Sequence, residues 1–184
     1  AVVPDEVQGG ATATRLLLEA GHRRIAFVND AAPSPASVGR LAGYKAALAR
    51  FDVDFDPSLV LSVTADQEGG YGAAAQVLAT GATGVFCHND RTALGLYDAL
   101  RESGKRVPDD ISVVGFDNQE VISAHTHPAL TTVGLPQYDL GVMGVRTLLR
   151  RCGADNDESE IVSERFEPVH VQCPAVPRDP VRTL

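Results

Sequence analysis

Hydrophobic and polar residues follow two alternating patterns along this chain. Longer segments repeat apolar residues roughly every three to four positions, as amphipathic helices do, and short continuous apolar runs lie between them. The predicted helices are 7–20, 34–50, 68–79, 91–103 and 138–150. The predicted strands are 25–28, 59–63, 84–87, 111–116 and 167–172. Strands alternating with helices in this way predict right-handed crossovers and a parallel sheet covered on both faces, a three-layer α/β fold.

The composition is that of an ordinary globular chain. Its 184 residues are 44% hydrophobic and 22% charged, enough for one sizeable core. No apolar run approaches the roughly 18 residues that cross a bilayer. We therefore predict neither a disordered chain nor a membrane-spanning one.

The net charge of −8 argues against direct binding of nucleic acid by these residues. Duplex binding depends on lysine and arginine neutralising several phosphates, and no basic patch is visible. Any contact with DNA is expected to come from residues outside this sequence. The chain begins at Ala1 without a basic and then apolar leader, and we expect this start to be a cut end.

The sequence carries no signature of a cofactor, a metal or an active site. Cys87, Cys152 and Cys173 lack the paired spacing of a zinc site, and we interpret them as reduced thiols of a cytosolic protein, with Cys87 in the core. His125 and His127 lack a third ligand at a known spacing. A nucleophile elbow and a phosphate loop are missing from the sequence. We therefore predict no metal, no cofactor and no enzymatic activity.

Asp117 follows a buried strand in the segment VPDDISVVGFDN, residues 107–118. Ligands of parallel sheets collect beyond the carboxyl ends of the strands, so Asp117 stands where a ligand would bind. The alternative is a turn residue whose side chain bonds the backbone two residues on. The sequence is compatible with both roles.

Arg40, Asn89 and Asp90 lie near predicted helix starts that follow strand-end loops. The guanidinium of Arg40 could reach across a cleft to hydroxyl or carboxylate oxygens, or it could be a solvated helix arginine. Asn89 or Asp90 is expected to cap the helix that begins near Arg91, a role that contributes about 1 kcal/mol. Either side chain could also face a ligand.

Five ordered motifs between about Asp5 and Arg150 resemble the effector-binding domain of the LacI/GalR family of bacterial transcription regulators. They are AGHRRIAFV (20–28), RLAGYKAAL (40–48), the region 87–118 from CHNDRTALG to VVGFDN, PALTTV (128–133), and the helix 137–150. The resemblance implies a sensor of the periplasmic-binding-protein type I kind. It assigns residues 1–133 to the C-terminal lobe, 134–165 to a crossover helix and connection of the N-terminal lobe, and 166–184 to a final strand and tail. The last dozen residues are expected to be loose.

The resemblance also implies a function. A small molecule, a sugar or sugar derivative, would bind between the lobes and change the affinity of a homodimer for operator DNA through a helix-turn-helix domain absent from this chain. Arg40 would be the main cationic contact, Asp117 would accept hydrogen bonds from ligand hydroxyls, and Asn89 or Asp90 would line the cleft. The protein would be cytoplasmic. The alternative is a solute-binding protein of a sugar ABC importer, which shares the fold.

Three positions depart from the family pattern. Ala36 stands where a polar residue often precedes the arginine, Ala65 where an aromatic stacking platform is common, and Leu135 where glutamine is frequent. We therefore do not expect a sugar ring to stack on an aromatic side chain here.

Overall fold

The computed structural model describes residues 1–151, 167–179 and 181–184. Its helices are α1 (Glu6–Glu19), α2 (Pro35–Arg50), α3 (Gln67–Ala79), α4 (Asp90–Glu102), α5 (Glu120–Ser123) and α6 (Gln137–Arg151). Its strands are β1 (Val2–Pro4), β2 (Ile25–Asp30), β3 (Val60–Val63), β4 (Gly84–Cys87), β5 (Ser112–Asp117), β6 (Thr131–Gly134), β7 (Val169–Val171) and β8 (Ala175–Val176). Within the described residues no helix is both long and apolar enough to cross a bilayer.

A six-stranded sheet in the order β3-β2-β4-β5-β6-β8 forms the centre of the larger unit. Its first five strands are parallel, and β8 pairs antiparallel with β6. Strands β1 and β7 form a separate parallel pair. The predicted α/β architecture with a parallel sheet is confirmed.

The two faces of the sheet bury separate apolar clusters, as expected for strands covered on both sides. On one face α3 and α4 contribute side chains such as Val77 and Leu100. On the other face α1 and α2 pack over Phe27 and Phe86, whose rings stack with centroids 4.5 Å apart. Cys87 is fully buried, as predicted, and burial raises the pKa of its thiol, which disfavours the reactive thiolate.

Helices α1 and α2 approach each other closely because glycines lie at their contact. A Cβ on Gly43 would overlap the carbonyl of Val7 and the backbone nitrogen of Ala11. A Cβ on Gly10 would overlap the backbone of Arg40. The absence of these side chains sets the helix separation and places the first turn of α1 beside Arg40.

Within the part of the chain that the structure describes, the backbone passes between the two sheets three times, after β1, after β6 and after β7. Backbone hydrogen bonds tie the passages together: Asp5 N–H donates to Val171 O and Gly134 N–H to Pro174 O, each at 2.8 Å. The Gln8 side chain bonds both backbone groups of Cys173. The three passages therefore form one connected bundle.

The sequence interpretation missed β1, β6, β8 and the short α5. Residues 128–133 were expected to be a crossover, but Thr131–Gly134 pairs with β5 inside the main sheet. The prediction that the last dozen residues form a loose tail is also wrong. Strand β8 pairs with β6, and Arg182 N–H donates to Ser112 Oγ at 3.0 Å. These strands are two to four residues long and flanked by proline, which hides them from periodicity. The division into 1–133, 134–165 and 166–184 stays a prediction, and much of 134–165 lies outside the described residues.

Candidate functional site

A polar cluster lies where the carboxyl ends of β2, β4 and β5 meet the first turns of α1 and α2. Arg40 is at its centre, with Glu6, His88 and Asp117 around it. The parallel sheet brings the strand-end groups together because all of its parallel strands end at the same edge. The cluster is thus a direct consequence of the strand order.

Arg40 is 3% exposed, and each of its three guanidinium nitrogens lies near an oxygen acceptor. Its Nε donates to Glu6 Oε2 at 2.8 Å and its Nη1 donates to the carbonyl of His88. Its Nη2 lies 3.5 Å from Asp117 Oδ1. A solvated helix arginine would make none of these contacts, so that alternative is wrong for Arg40.

The ring of Phe116 packs against one face of the Arg40 guanidinium. The Arg40 carbon Cζ lies 3.6 Å from the ring centroid, a cation–π geometry. Phe116 is fully buried, as its strand position predicts, and its ring contributes to the core and to the orientation of Arg40 at once. The plane of the guanidinium is therefore fixed before any ligand arrives.

Asp117 ends β5 with a backbone φ of 99°, and Asn118 follows with φ of 53°. Aspartate and asparagine tolerate this left-handed region better than most residues, which explains the FDN sequence at this strand end. Asp117 Oδ2 accepts from Gln119 Nε2 at 3.2 Å, whereas the backbone N–H of Gln119 donates to Asp90. The Asp117 side chain therefore does not bond the backbone two residues on, as the turn-residue alternative required. It contacts the side chains of Gln119 and Arg40 instead.

The pKa of the Asp117 carboxyl is raised, chiefly because burial disfavours its charge. The Arg40 guanidinium acts against this rise, and Glu6 adds to it. Arg40 therefore offsets part of the cost of keeping this carboxylate in the cluster.

Asn89 caps α4, as the sequence predicts for Asn89 or Asp90. Its Oδ1 accepts from Thr92 N–H at 2.8 Å, and its Nδ2 donates to Ala65 O at 2.9 Å. Ala65 occupies the position where the family resemblance leads one to expect an aromatic side chain that stacks on the ligand. Asn89 thus joins the loop before α3 to the start of α4 at the cluster's edge.

Asp90 is fully buried inside the unit and points away from solvent. Its Oδ1 accepts from the Thr132 hydroxyl at 2.6 Å, and its Oδ2 accepts from Gln119 N–H at 2.7 Å. Burial raises the pKa of Asp90 to about 7 despite these bonds. Both carboxylate oxygens are therefore used to join β6 and the loop after β5 to α4.

His88 and Glu6 are members of the cluster that the sequence interpretation missed. His88 Nδ1 lies 3.0 Å from Asn29 Oδ1, and burial, followed by the charge of Arg40, lowers the pKa of His88 to about 4. Glu6 follows β1, a strand too short for periodicity to reveal, so no signal placed it near Arg40. For His88 the sequence does hold a signal, because this histidine directly follows the strand GVFC, at a strand end where ligand-binding groups collect.

A metal-binding cluster of three or more histidine, cysteine or acidic side chains is not found among the described residues. His125, one of the two histidines considered for a metal, has its Nδ1 3.2 Å from the Glu120 carbonyl. The cluster around Arg40 places hydrogen-bond donors of one guanidinium beside carboxylate acceptors. Such an arrangement can bind polar groups of a ligand.

Comparison with known proteins agrees with this architecture. Residues 14–171 match the family described as the periplasmic binding protein-like domain. The curated relatives that resemble the chain include repressors, and the solved structures that resemble it include LacI family transcriptional regulators. The chain belongs to the LacI/GalR family.

Among curated relatives, the chain resembles the PurR repressor of Vibrio atlanticus, with 35% identity over 185 residues, 100% of this chain and 53% of that protein. It also resembles the ribose operon repressor of Haemophilus influenzae, with 33% identity over 158 residues, 85% of this chain and 47% of that protein. The chain therefore spans about half the length of these LacI/GalR relatives.

Among solved structures, a LacI family regulator of Enterococcus faecium with bound ribose has a TM-score of 0.86 and 34% identity, covering 100% of this chain and 66% of that one. The CelR–cellobiose complex has a TM-score of 0.83 and 31% identity, covering 97% of this chain and 53% of that one. These LacI/GalR relatives are named as regulators, which favours a regulator's effector-binding domain over the importer alternative.

Proposed function

We propose that this chain is the effector-binding part of a LacI/GalR-type transcription regulator. The observation that carries the proposal is the ordered pair of Arg40 and Asp117 at the carboxyl edge of the sheet, supported by Phe116. A donor and an acceptor held 3.5 Å apart can each bond neighbouring hydroxyl groups of one small molecule. Asn89, at the same edge, would line the cleft, whereas both oxygens of Asp90 already have partners within the unit.

A sugar or sugar derivative is the ligand class that the comparisons favour. One similar structure holds ribose and another holds cellobiose. A hydroxyl both donates and accepts, so it suits a cluster that mixes guanidinium and carboxylate groups. Recognition by polar side chains rather than by ring stacking follows from Ala65, which offers no aromatic face.

Effector binding would act by shifting a population of lobe arrangements. A ligand favours the arrangement that it binds more tightly, and the size of its effect is bounded by that difference in affinity. In this proposal the parent protein is a cytoplasmic homodimer without enzymatic activity. It would contact operator DNA through a helix-turn-helix domain outside this sequence, since the relatives are named as repressors.

The test combines effector and DNA titrations on the full-length protein. Isothermal calorimetry with D-ribose, cellobiose and a wider set of uncharged sugars identifies the effector. A gel-shift assay on the DNA upstream of its own gene is then repeated with and without that sugar. We expect one sugar to bind and to change the DNA affinity. A protein that binds a sugar but no DNA would instead support the importer alternative.

A further inference from the structure

Glu6 blocks the edge of Arg40 that would otherwise grip an anion. A guanidinium holds a planar or tetrahedral anion best through two parallel N–H groups, one of them on Nε. In this protein the Nε donates to Glu6 Oε2 at 2.8 Å, and Nη2 lies 3.5 Å from Glu6 Oε1. The carboxylate of Glu6 thus sits on the Nε–Nη2 edge in the position of a bound anion.

The remaining donors of Arg40 are also restricted. Its Nη1 donates to the carbonyl of His88, and Phe116 covers one face of the guanidinium. Asp117 stands 3.5 Å from Nη2. The free N–H directions that are left can serve single hydrogen bonds to hydroxyl oxygens, but they cannot form a second bidentate grip.

The charge of the cluster agrees with this geometry. Two carboxylates, Glu6 and Asp117, surround one cation, and their side chains are only 14% and 15% exposed. The ring of His88, whose carbonyl accepts from Arg40, is buried against Asn29. A phosphate or carboxylate on a ligand would meet a net negative surface at close range and low solvent screening.

The position of Glu6 is built into the fold. Glu6 lies in the first turn of α1, and the contact between α1 and α2 is close enough that a Cβ on Gly39 would fall 2.5 Å from the Cβ of Glu6. Gly10 places the same helix against the backbone of Arg40. The glycines therefore hold the carboxylate on the arginine rather than leaving the pair to a flexible surface contact.

We propose that Glu6 is a specificity-determining residue that restricts this site to uncharged or amino-bearing polyols and excludes phosphorylated or acidic ones. The inference rests on the proposed function, because it assigns a ligand class to the same cluster. Asp117 would accept hydrogen bonds from hydroxyl or ammonium groups of the ligand. Arg40 would donate single hydrogen bonds to hydroxyl oxygens.

Inorganic phosphate is the probe for the test, because it needs no knowledge of the effector. Calorimetric titration compares the full-length wild type with Glu6→Gln, which keeps the shape, and Glu6→Ala, which clears the guanidinium edge. Glu19→Gln is the matched control, since Glu19 lies on the same helix in an exposed pair with Arg15. We expect Glu6→Ala to bind phosphate about tenfold or more tightly than the wild type, because it exposes a buried cation. The control should equal the wild type.

Adding Arg40→Ala to Glu6→Ala should remove the gain and so assign the phosphate to the arginine. A wild type that already binds phosphate as tightly as Glu6→Ala overturns the inference, and this arm needs no variant to fold. A folded Glu6→Ala protein without any gain overturns it as well, with Glu6→Gln available if Glu6→Ala unfolds. Binding of uncharged sugars is scored separately: its absence counts against the proposed function, whereas the phosphate result decides the role of Glu6.

Discussion

Arg40 joins elements that are far apart in the sequence. It bonds the first turn of α1 through Glu6, the end of β4 through the His88 carbonyl and the end of β5 through Asp117. Each of these partners is itself buried or nearly so, and none has an alternative cation within hydrogen-bond distance among the contacts described for the cluster. The same side chain therefore supports the fold of this edge and, in the proposed function, would also bind the ligand there.

Replacing Arg40 by alanine should weaken effector binding by about 2 to 4 kcal/mol, because the hydrogen-bonding partners on the ligand and the protein lose a buried charged donor. Calorimetry with whichever sugar the effector titrations show to bind, at a temperature where both proteins are folded, measures the loss. Arg15→Ala, which removes an exposed arginine of α1, is the control and should leave the affinity unchanged. Wild-type affinity in Arg40→Ala would remove the arginine from the site.

His88 and Asp90 make opposite contributions to the pH dependence of stability. The pKa of His88 falls from 6.5 to about 4 on folding, so the unfolded chain binds the extra proton between these values and stability rises with pH. The pKa of Asp90 rises from 3.8 to about 7, so the folded protein holds the extra proton and stability falls with pH. At about 1.4 kcal/mol per pKa unit, these changes correspond to roughly 3 and roughly 4 kcal/mol.

Single variants should separate the two contributions. The wild type should lose roughly 4 kcal/mol of its free energy of unfolding between pH 4 and 7 through Asp90, and Asp90→Asn lacks this loss because it has no carboxyl. The difference in free energy of unfolding, variant minus wild type, should therefore rise by roughly 4 kcal/mol over this range. For His88→Gln the same difference should fall by roughly 3 kcal/mol between pH 4 and 6.5, because the variant lacks the gain in stability that the wild type makes there. Urea unfolding at several pH values measures both differences. A difference that does not vary with pH would show that the burial of that residue does not perturb its titration.

At the scale of elements, the contact between α1 and α2 determines where Glu6 and Arg40 meet. Tyr44 and Leu48 of α2 pack with Leu17 of α1 over the sheet, and the glycines allow the helix backbones to touch. A methyl group at the contact would have to separate the helices. Such a separation changes the core and the ion pair together.

Gly43→Ala should therefore lower the free energy of unfolding by about 1 to 3 kcal/mol through overpacking. Gly72→Ala on α3 is the matched control, because a Cβ there meets no atom within 4 Å. The control should stabilise the protein by about 0.5 to 1 kcal/mol, since alanine favours the helix. Urea denaturation compares the two variants, and equal effects would argue against a tight contact between α1 and α2.

Most of the main elements could be predicted from the sequence because their apolar periodicity is long. The predicted bounds of α2 and β4 differ from the structure by no more than one residue, and the cap of α4 is Asn89, one of the two residues predicted for that role. The short strands β1 and β8 could not be predicted, because two or three residues carry no period. Glu6 was missed for the same reason: its place depends on β1 and on a helix contact made by residues more than thirty positions away.

At the scale of the whole molecule, α6 packs against β1 of the small sheet and also presents apolar side chains to solvent. Val145, Leu148 and Leu149 are 58%, 60% and 53% exposed, and Tyr138 is 82% exposed. Grouped apolar side chains of this kind promote association between molecules. The surface of the large unit near Arg40 has no comparable group of large apolar side chains on a single described helix.

We therefore expect the 184-residue chain by itself to self-associate through α6. Light scattering at increasing protein concentration should show a dimer or larger species, and the double variant Leu148→Lys, Leu149→Lys should shift it toward the monomer. Val38→Lys is the control, because Val38 is 64% exposed but lies on α2. A wild-type chain that stays monomeric would contradict the expectation, as would equal effects of the α2 and α6 changes.

The three passages between the sheets also have a genetic consequence. Because the segments around residues 4–6, 134–137 and 171–175 each cross from one sheet to the other, neither sheet is encoded by one uninterrupted stretch. A single recombination event within any of these segments would leave at least one strand paired with strands of foreign origin, and it would separate the backbone groups that connect the passages. Exchange of the whole large-sheet unit between related genes would need three coordinated breakpoints. New ligand preferences in such a lineage are therefore expected to accumulate by point substitution around the strand ends.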